Sequence, residues 1–434
     1  MQSPPVFDAH HPPSLKIADK CVHCGFCLAT CPTYVLWGQE MDSPRGRIQL
    51  IQLAAEGAVG MTPQWVKHFD TCLGCMACMP ACPSGVDYGK LIEATRGQIA
   101  RRFRRPQGEI WYRRLLFNTL TKPRRLRLLR WPLLGYQRSG VQSLLRRRHV
   151  LKRLGKSVEA MDALLPPLTS KSAVRRVTPA DGPARARVGL LLGCVQREFL
   201  SQVNAATARV LAAEGYEVVA PSEQPCCGAL AMHAGEEEAA LEFARRMIDV
   251  FERAGVDTVV INAAGCGSNM KEYGYLLRDD PGYAARARRF ADKCRDVMEF
   301  LAENEPRARR HRLTMRVAYH DACHLQHAQG VREQPRSLLS QIPGLQLAEI
   351  PEAAICCGSA GIYNLVQPET AAALGDRKAH LITPLAVDVV ATGNPGCILQ
   401  LQSALGRRGV NIPVVHTVQL LDAAIQGRSE APGF

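Results

Sequence analysis

Sixteen of the seventeen cysteines fall into two regular patterns, and both patterns suit metal ligation. The first runs from Cys21 to Pro32 as Cys-Val-His-Cys-Gly-Phe-Cys-Leu-Ala-Thr-Cys-Pro. It recurs from Cys72 to Pro83, and both copies read C-x2-C-x2-C-x3-C-P. Three thiolates spaced in this way wrap one corner of an iron–sulfur cubane, each taking a different iron. The fourth, at the turn that proline ends, reaches the partner cluster. This assigns Cys21, Cys24, Cys27 and Cys82 to one [4Fe–4S] cluster, and Cys72, Cys75, Cys78 and Cys31 to the other. Zinc also takes C-x2-C pairs, but it seldom needs four cysteines in so short a run, twice over.

The second pattern is an internal repeat. Gly193-Cys194, Cys226-Cys227-Gly228 and Gly265-Cys266 are followed by Ala322-Cys323, Cys356-Cys357-Gly358 and Gly396-Cys397. Corresponding gaps are 32 and 33 residues, then 39 and 40, and the two units are offset by 129 to 131 residues. Neighbouring cysteines point apart unless the backbone turns sharply, a freedom that Gly228 and Gly358 provide. Cys194, Cys226, Cys227 and Cys266 are one candidate metal set. Cys323, Cys356, Cys357 and Cys397 are the other. Each suits a further [4Fe–4S] cluster or a zinc ion. His320, His324 and His416 could supplement the donors, although a hydrogen-bonded core histidine is the ordinary reading of each. Cys294 stands outside the repeats and reads as inert.

The elements that position these residues follow from hydrophobic periodicity. In the first unit, strands are expected at Val188–Leu192, Glu217–Ala220 and Thr258–Ala263, with helical stretches at Ala205–Glu214 and Glu236–Ala254. The second unit repeats this with Arg316–Tyr319, helical Glu369–Leu381 and Val387–Thr392. Alternating strands and helices imply parallel α/β units, which gather ligands at the strand carboxyl ends. Between the two cysteine runs, Asp42 or Ser43 can cap a helix that Pro44 opens, with Ile48, Leu50, Ile51 and Leu53 behind it. Arg45 and Arg47 in this helix are either exposed charges or cations beside a cluster. The resulting fold class is multidomain α+β and α/β. A helical dicluster ferredoxin domain (1–100) precedes a basic helical connector (101–187) and two Cys-Cys-Gly domains (188–312 and 313–434).

The whole chain has 434 residues, 47% of them apolar, and a net charge of +14. That length allows about three domains with real cores. Between Arg101 and Arg153 there are 17 Lys or Arg against the single Glu109, a local excess of +16, so the remainder sums to −2. The basicity belongs to the connector. Its Trp111, Tyr112, Phe117, Leu126 and Trp131 are out of place in a solvated linker and suit docking, on an anionic bilayer face or on an acidic partner subunit. Short helices broken at Pro123, Pro132 and Gly135 are expected there, and a linker from Leu165 to Pro183. A nucleic-acid-binding reading of the charge lacks any recognised binding fold. The N-terminus shows no signal-peptide pattern, and no apolar run is long enough to span a bilayer. Seventeen cysteines without a signal-peptide pattern argue for a reducing compartment, so the expected location is cytoplasmic, with peripheral attachment to the inner membrane face as a further option.

The two Cys-Cys-Gly units resemble those of heterodisulfide reductase catalytic subunits and related iron–sulfur subunits. The order of parts is most similar to the iron–sulfur subunits of bacterial glycolate oxidases. The stretches that carry this likeness include Cys31-Pro-Thr-Tyr34, Ser43-Pro-Arg-Gly-Arg-Ile48, Asn204–Val210, Lys271-Glu-Tyr-Gly274, Leu325–Gln329 and Cys356-Cys-Gly-Ser-Ala-Gly361. Heterodisulfide reductases end each unit in Cys-x-x-Cys, which supplies a fifth ligand. Here Cys266-Gly-Ser-Asn269 and Cys397-Ile-Leu-Gln400 stand in those places, which counts against thiol–disulfide reduction. No G-x-G-x-x-G dinucleotide fingerprint appears at a strand-to-helix turn. The resemblance therefore implies a division of labour. A partner flavoprotein carrying FAD would oxidise glycolate to glyoxylate, and this chain would pass the electrons to a quinone or other acceptor. Close relatives would serve D-lactate or glycerol-3-phosphate dehydrogenases.

Overall fold

The computed structural model describes residues 6–168 and 171–428; Thr169 and Ser170 of the expected linker lie outside the described residues. The N-terminal segment is helical around the two cysteine runs. Ser43 caps the helix Pro44–Ala55, its hydroxyl accepting from the Gly46 N–H at 3.0 Å, and Pro44 occupies the first turn. That placement satisfies one orphan donor and uses a residue that has no N–H to lose. The helix buries Ile48, Ile51 and Ala54 against Trp65 and Phe69 of Pro63–Asp70 and Leu91 and Ile92 of Tyr88–Arg102.

The connector forms helices Gln107–Leu120, Pro123–Arg138, Val141–Arg147, Val150–Leu154 and Lys156–Ala163. Pro123 opens the second of these, but Pro132 and Gly135 lie inside it and do not break it. An interior proline frees the carbonyl four residues before it. Here that carbonyl belongs to Leu128, a 72% exposed residue, so water is at hand to satisfy it.

Two sheets follow. The first contains β1 (Val177–Thr178), β2 (Ala186–Leu190), β3 (Tyr216–Val219), β4 (Thr258–Ile261) and β5 (Cys294–Asp296), in the order β1-β3-β2-β4-β5. The second contains β6 (Met315–His320), β7 (Leu345–Glu349), β8 (Val389–Thr392) and β9 (Val414–His416), in the order β7-β6-β8-β9. All pairings are parallel except that of β1 with β3. Without β1, the two sheets share one topology, so the cysteine repeat is a repeat of fold. The expected strands occur within about two residues of their expected bounds, whereas β5, β7 and β9, and β1 inside the expected linker, extend the sheets beyond the sequence reading. Consequently Cys266 and Cys397 follow interior strands, β4 and β8.

The two units share one core. Val188, Leu190 and Val218 are buried in the same cluster as Val317, Val389 and Leu421. Across the junction, Arg209 grips Asp422 with two nitrogens at 2.9 and 2.7 Å.

Candidate metal centres

Each N-terminal cysteine loop is curled by left-handed residues on both sides of its second cysteine. His23 (φ 53°) and Gly25 (φ 88°) flank Cys24, and Gly74 (φ 62°) and Met76 (φ 61°) flank Cys75. For histidine and methionine this conformation costs roughly 1–2 kcal/mol, so surrounding structure must impose it. One cavity is lined by Cys21, Cys24, Cys27 and Cys82; a second is lined by Cys31, Cys72 and Cys75. Cys78 borders both. Thus the fourth cysteine of each run sits with the first three of the other, and with Cys78 counted to the second cavity each has the four thiols that a [4Fe–4S] cluster takes.

The two cavities differ in electrostatics and exposure. Arg47 is 1% exposed, and its guanidinium donates to the His68 carbonyl at 2.6 Å and reaches Cys31 Sγ at 4.0 Å. Its other contacts are Thr33 and Thr71 hydroxyls, each at 3.2 Å, and Asp42 at 3.4 Å. Burial opposes its charge, but Cys72, Tyr88, Cys31 and Asp42 outweigh that and raise its pKa. Burial likewise resists ionisation of Cys72, yet Arg47 and Arg96 pull that thiol below its ordinary value. Gly74 N–H and the Tyr88 hydroxyl also donate to Cys72 Sγ, at 3.4 and 3.7 Å. Of the two arginines considered in the sequence, Arg47 is therefore the buried cation beside the cysteines. Arg45 is half-exposed, pairing with Glu40 and donating to the His23 carbonyl at 2.9 Å. Around the other cavity Cys24 is exposed, as are Val22 and Phe26. Burial raises the Cys27 thiol to about 11.

The Cys-Cys-Gly cysteines also come together. Cys194 follows β2, Cys226 and Cys227 follow β3, and Cys266 lies in the first turn of the helix Ala264–Lys271 after β4. These are carboxyl ends of adjacent parallel strands, at the point where the strand order reverses. Cys194 Sγ lies 3.8 Å from Cys226 Sγ, and contacts continue from Cys226 to Cys227 and on to Cys266. In the second unit Cys323 Sγ lies 3.9 Å from Cys356 Sγ, and the chain of contacts runs through Cys357 to Cys397. Two thiolates on one tetrahedral metal at about 2.3 Å stand about 3.8 Å apart. The spacing fits shared metal ligation and is far too long for a disulfide. Gly228 (φ 86°) and Gly358 (φ 94°) turn the chain after each pair, as expected; a Cβ would meet Ala240 O at 3.0 Å and Ala371 O at 2.5 Å.

The histidines separate. His416 caps the helix Thr417–Ile425, its Nδ1 accepting from the Val418 N–H at 3.1 Å, so it is a structural residue. His324 Nδ1 lies 3.5 Å from Cys323 Sγ, and its ring sits 5.0 Å from that of His233. His320 has a ring nitrogen within 4.8 Å of both Cys357 and Cys397 sulfurs. Burial lowers the pKa values of His320 and His324 to about 3, so both rings are neutral. Lys378, also buried and missed by sequence reading, donates to the Glu352 carbonyl beside Cys356 and Cys357. Cys294 is buried in β5, in the same apolar cluster as Cys194, Cys226 and Cys227, and burial raises its thiol.

The second unit abuts the Arg47-side cavity. Leu73, Cys75 and Ala77 share a buried cluster with Cys323, Ile355, Cys356 and Tyr363. Two curled cysteine loops, the second of them packed against a cysteine-bearing α/β pair, fit an iron–sulfur electron-transfer protein. Family profiles agree in detail. Residues 17–86 match a "4Fe-4S dicluster domain", 188–271 and 317–402 match a "Cysteine-rich domain", and 108–165 match "Glycolate oxidase iron-sulfur subunit, linker region". The chain is 37% identical to the "Probable glycolate oxidase iron-sulfur subunit" of Bacillus subtilis, covering 92% of each chain. It is 36% identical to the "Glycolate oxidase iron-sulfur subunit" of Escherichia coli, covering 95% of each. At 28% identity it matches a CoM/CoB fumarate reductase component of Methanothermobacter marburgensis, over 93% of this chain and 72% of the other. The chain belongs to the family of glycolate oxidase iron–sulfur subunits, and its role is electron transfer.

Proposed function

We propose that this chain takes electrons from a partner flavoprotein that oxidises glycolate to glyoxylate and delivers them towards a quinone or other acceptor. Glycolate gives up two electrons and two protons to the partner's FAD, and the electrons pass singly into this chain. [4Fe–4S] clusters held by Cys21/Cys24/Cys27/Cys82 and Cys72/Cys75/Cys78/Cys31 supply the one-electron redox chemistry. The Cys-Cys-Gly sets hold further iron–sulfur or zinc centres, and no hydride-transfer site lies in this chain. The observation that carries the reading is the continuity from exposed Cys24, through Cys78 on both cavities, to Cys75 packed against Cys323 and Cys356. The chain's own residues set the conditions for that path. Arg47 and Arg96 place positive charge beside Cys72, and Tyr88 and Gly74 donate to its sulfur, all of which favour the reduced state.

Native complex purified without oxygen tests this by the identity of its co-purifying subunits and by iron, sulfide and zinc analysis. An FAD subunit that turns over glycolate supports the reading. A partner specific for D-lactate or glycerol-3-phosphate redirects it to those substrates, and a chain free of flavoprotein partners overturns it.

The connector supports peripheral attachment to an anionic membrane on the cytoplasmic side. Part of its charge is satisfied internally: Arg105 binds Asp70 at 2.7 Å and Arg146 binds Asp162 at 2.5 Å. Trp111 and Trp131, 66% and 72% exposed, have apolar area to offer a headgroup layer. Among the described residues, no helix is long and apolar enough to cross a membrane. Flotation with anionic liposomes should fall when both tryptophans are changed to Ser; binding unchanged by that pair contradicts attachment through this face.

A further inference from the structure

The two Cys-Cys-Gly units are alike in their cysteines and unlike in one neighbouring position. We propose that the second unit holds its metal through an imidazole nitrogen of His320 together with thiolates, whereas the first unit uses sulfur donors alone. This rests on the reading above that the second unit binds metal.

Four observations meet here. His320, Cys357 and Cys397 present ligand atoms within 4.8 Å of one another, and all three residues are buried. His320 ends β6 directly opposite Thr392, the last residue of β8, and Cys397 follows β8 in the first turn of the helix Pro395–Arg407. Two parallel strands thus deliver the imidazole and the thiol to one point at their carboxyl ends. Cys357 also contacts Cys356, which lies 3.9 Å from Cys323, so the histidine joins a set already assembled. In the first unit, the position three residues before Cys194 is Leu191, 1% exposed and packed among Cys194, Cys226 and Cys227. Leucine offers no donor. The same strand end is therefore a nitrogen ligand in one unit and apolar wall in the other.

Thiolates with one imidazole form a donor set for thiophilic and borderline metals, either zinc or the irons of an iron–sulfur centre. The competing nitrogen is His324, beside Cys323. The full-length chain, prepared anaerobically with 15N-histidine, separates these possibilities. Pulsed EPR of the reduced protein reads histidine nitrogen bound to iron, and X-ray absorption at the zinc edge reads imidazole bound to zinc. A histidine nitrogen signal is expected in the native protein, lost in His320→Leu and retained in His324→Leu. An all-sulfur coordination sphere in the native protein overturns the assignment, and this needs no variant to fold. Persistence of the signal in His320→Leu, with loss in His324→Leu, moves the donor to His324 and also overturns it. A second unit without metal overturns both this assignment and the reading beneath it, whereas metal bound by sulfur alone overturns only this one.

Discussion

The Tyr363 hydroxyl donates to the Thr71 carbonyl at 2.9 Å, joining the second Cys-Cys-Gly unit to the residue just before Cys72. Both groups are buried, and burial raises the tyrosine's pKa, so the hydroxyl remains a donor. The bond fixes the second unit against the loop that carries Cys72 and Cys75. Tyr363→Phe should destabilise the protein by about 1 kcal/mol, the usual net value of one such bond. Denaturation of the anaerobic protein reads that cost, and the same variant should slow oxidation of the Cys72-side cluster by acceptor. Unchanged stability and rate would show that this junction is incidental.

Arg47 should matter to one cluster and not the other. Its replacement by Met leaves Asp42 with His68 and Thr71 as its partners, so the loss should be smaller than the roughly 3–5 kcal/mol of a fully broken buried pair. Asp42→Asn in the same chain should recover part of the stability, because the amide carries no charge to strand. In either background the midpoint potential of the Cys31/Cys72/Cys75/Cys78 cluster should fall. Redox titration followed by EPR checks that the cluster near Cys24 keeps its potential.

Crossed ligation predicts a selective lesion. Cys82→Ala should damage the cluster on Cys21, Cys24 and Cys27, because Cys82 lines their cavity and not the other. EPR of the variant showing loss of the Cys72-side signal alone would contradict this.

Asp296 gives the fold a pH dependence. It caps the helix Val297–Ala302, accepting from the Met298 N–H at 2.8 Å, and burial raises its pKa to about 7 from 3.8. The folded carboxyl keeps a proton that the unfolded chain releases. Its contribution is therefore full below about pH 4, declines as pH rises towards about 7 and is level above that. Asp296→Asn keeps the side-chain acceptor and removes the titration. Its thermal midpoint relative to the unsubstituted protein should rise between pH 5 and pH 7.5; a constant difference would show that the carboxyl is not perturbed.

Much of this was legible in sequence because ligation leaves no freedom in spacing. The C-x2-C-x2-C-x3-C-P runs and the repeated Cys-Cys-Gly register pointed to cysteines that the structure brings close in space, with Cys78 bordering both N-terminal cavities. Strands β2, β3, β4, β6 and β8 were readable as short apolar runs. The edge strands were not. Cys294-Arg295-Asp296 has no apolar pattern, and Val414–His416 is three residues long. Pro132 looked like a helix stop because a sequence does not show that Leu128, whose carbonyl it frees, is exposed. His320 looked like an ordinary core histidine, since its nearness to Cys397 comes from the β6–β8 pairing, across some seventy residues of chain. Lys378 was missed because its approach to Cys356 and Cys357 depends on how the helix Pro368–Ile382 packs.

The central claim is that substrate electrons enter this chain through a flavoprotein and occupy its clusters. The most direct measurement is EPR of the anaerobic chain mixed with its flavoprotein partner, before and after glycolate is added. Reduced [4Fe–4S] signals are expected only when chain, partner and glycolate are all present. Clusters that stay oxidised while the partner turns over glycolate would contradict it, as would clusters that glycolate reduces without any partner.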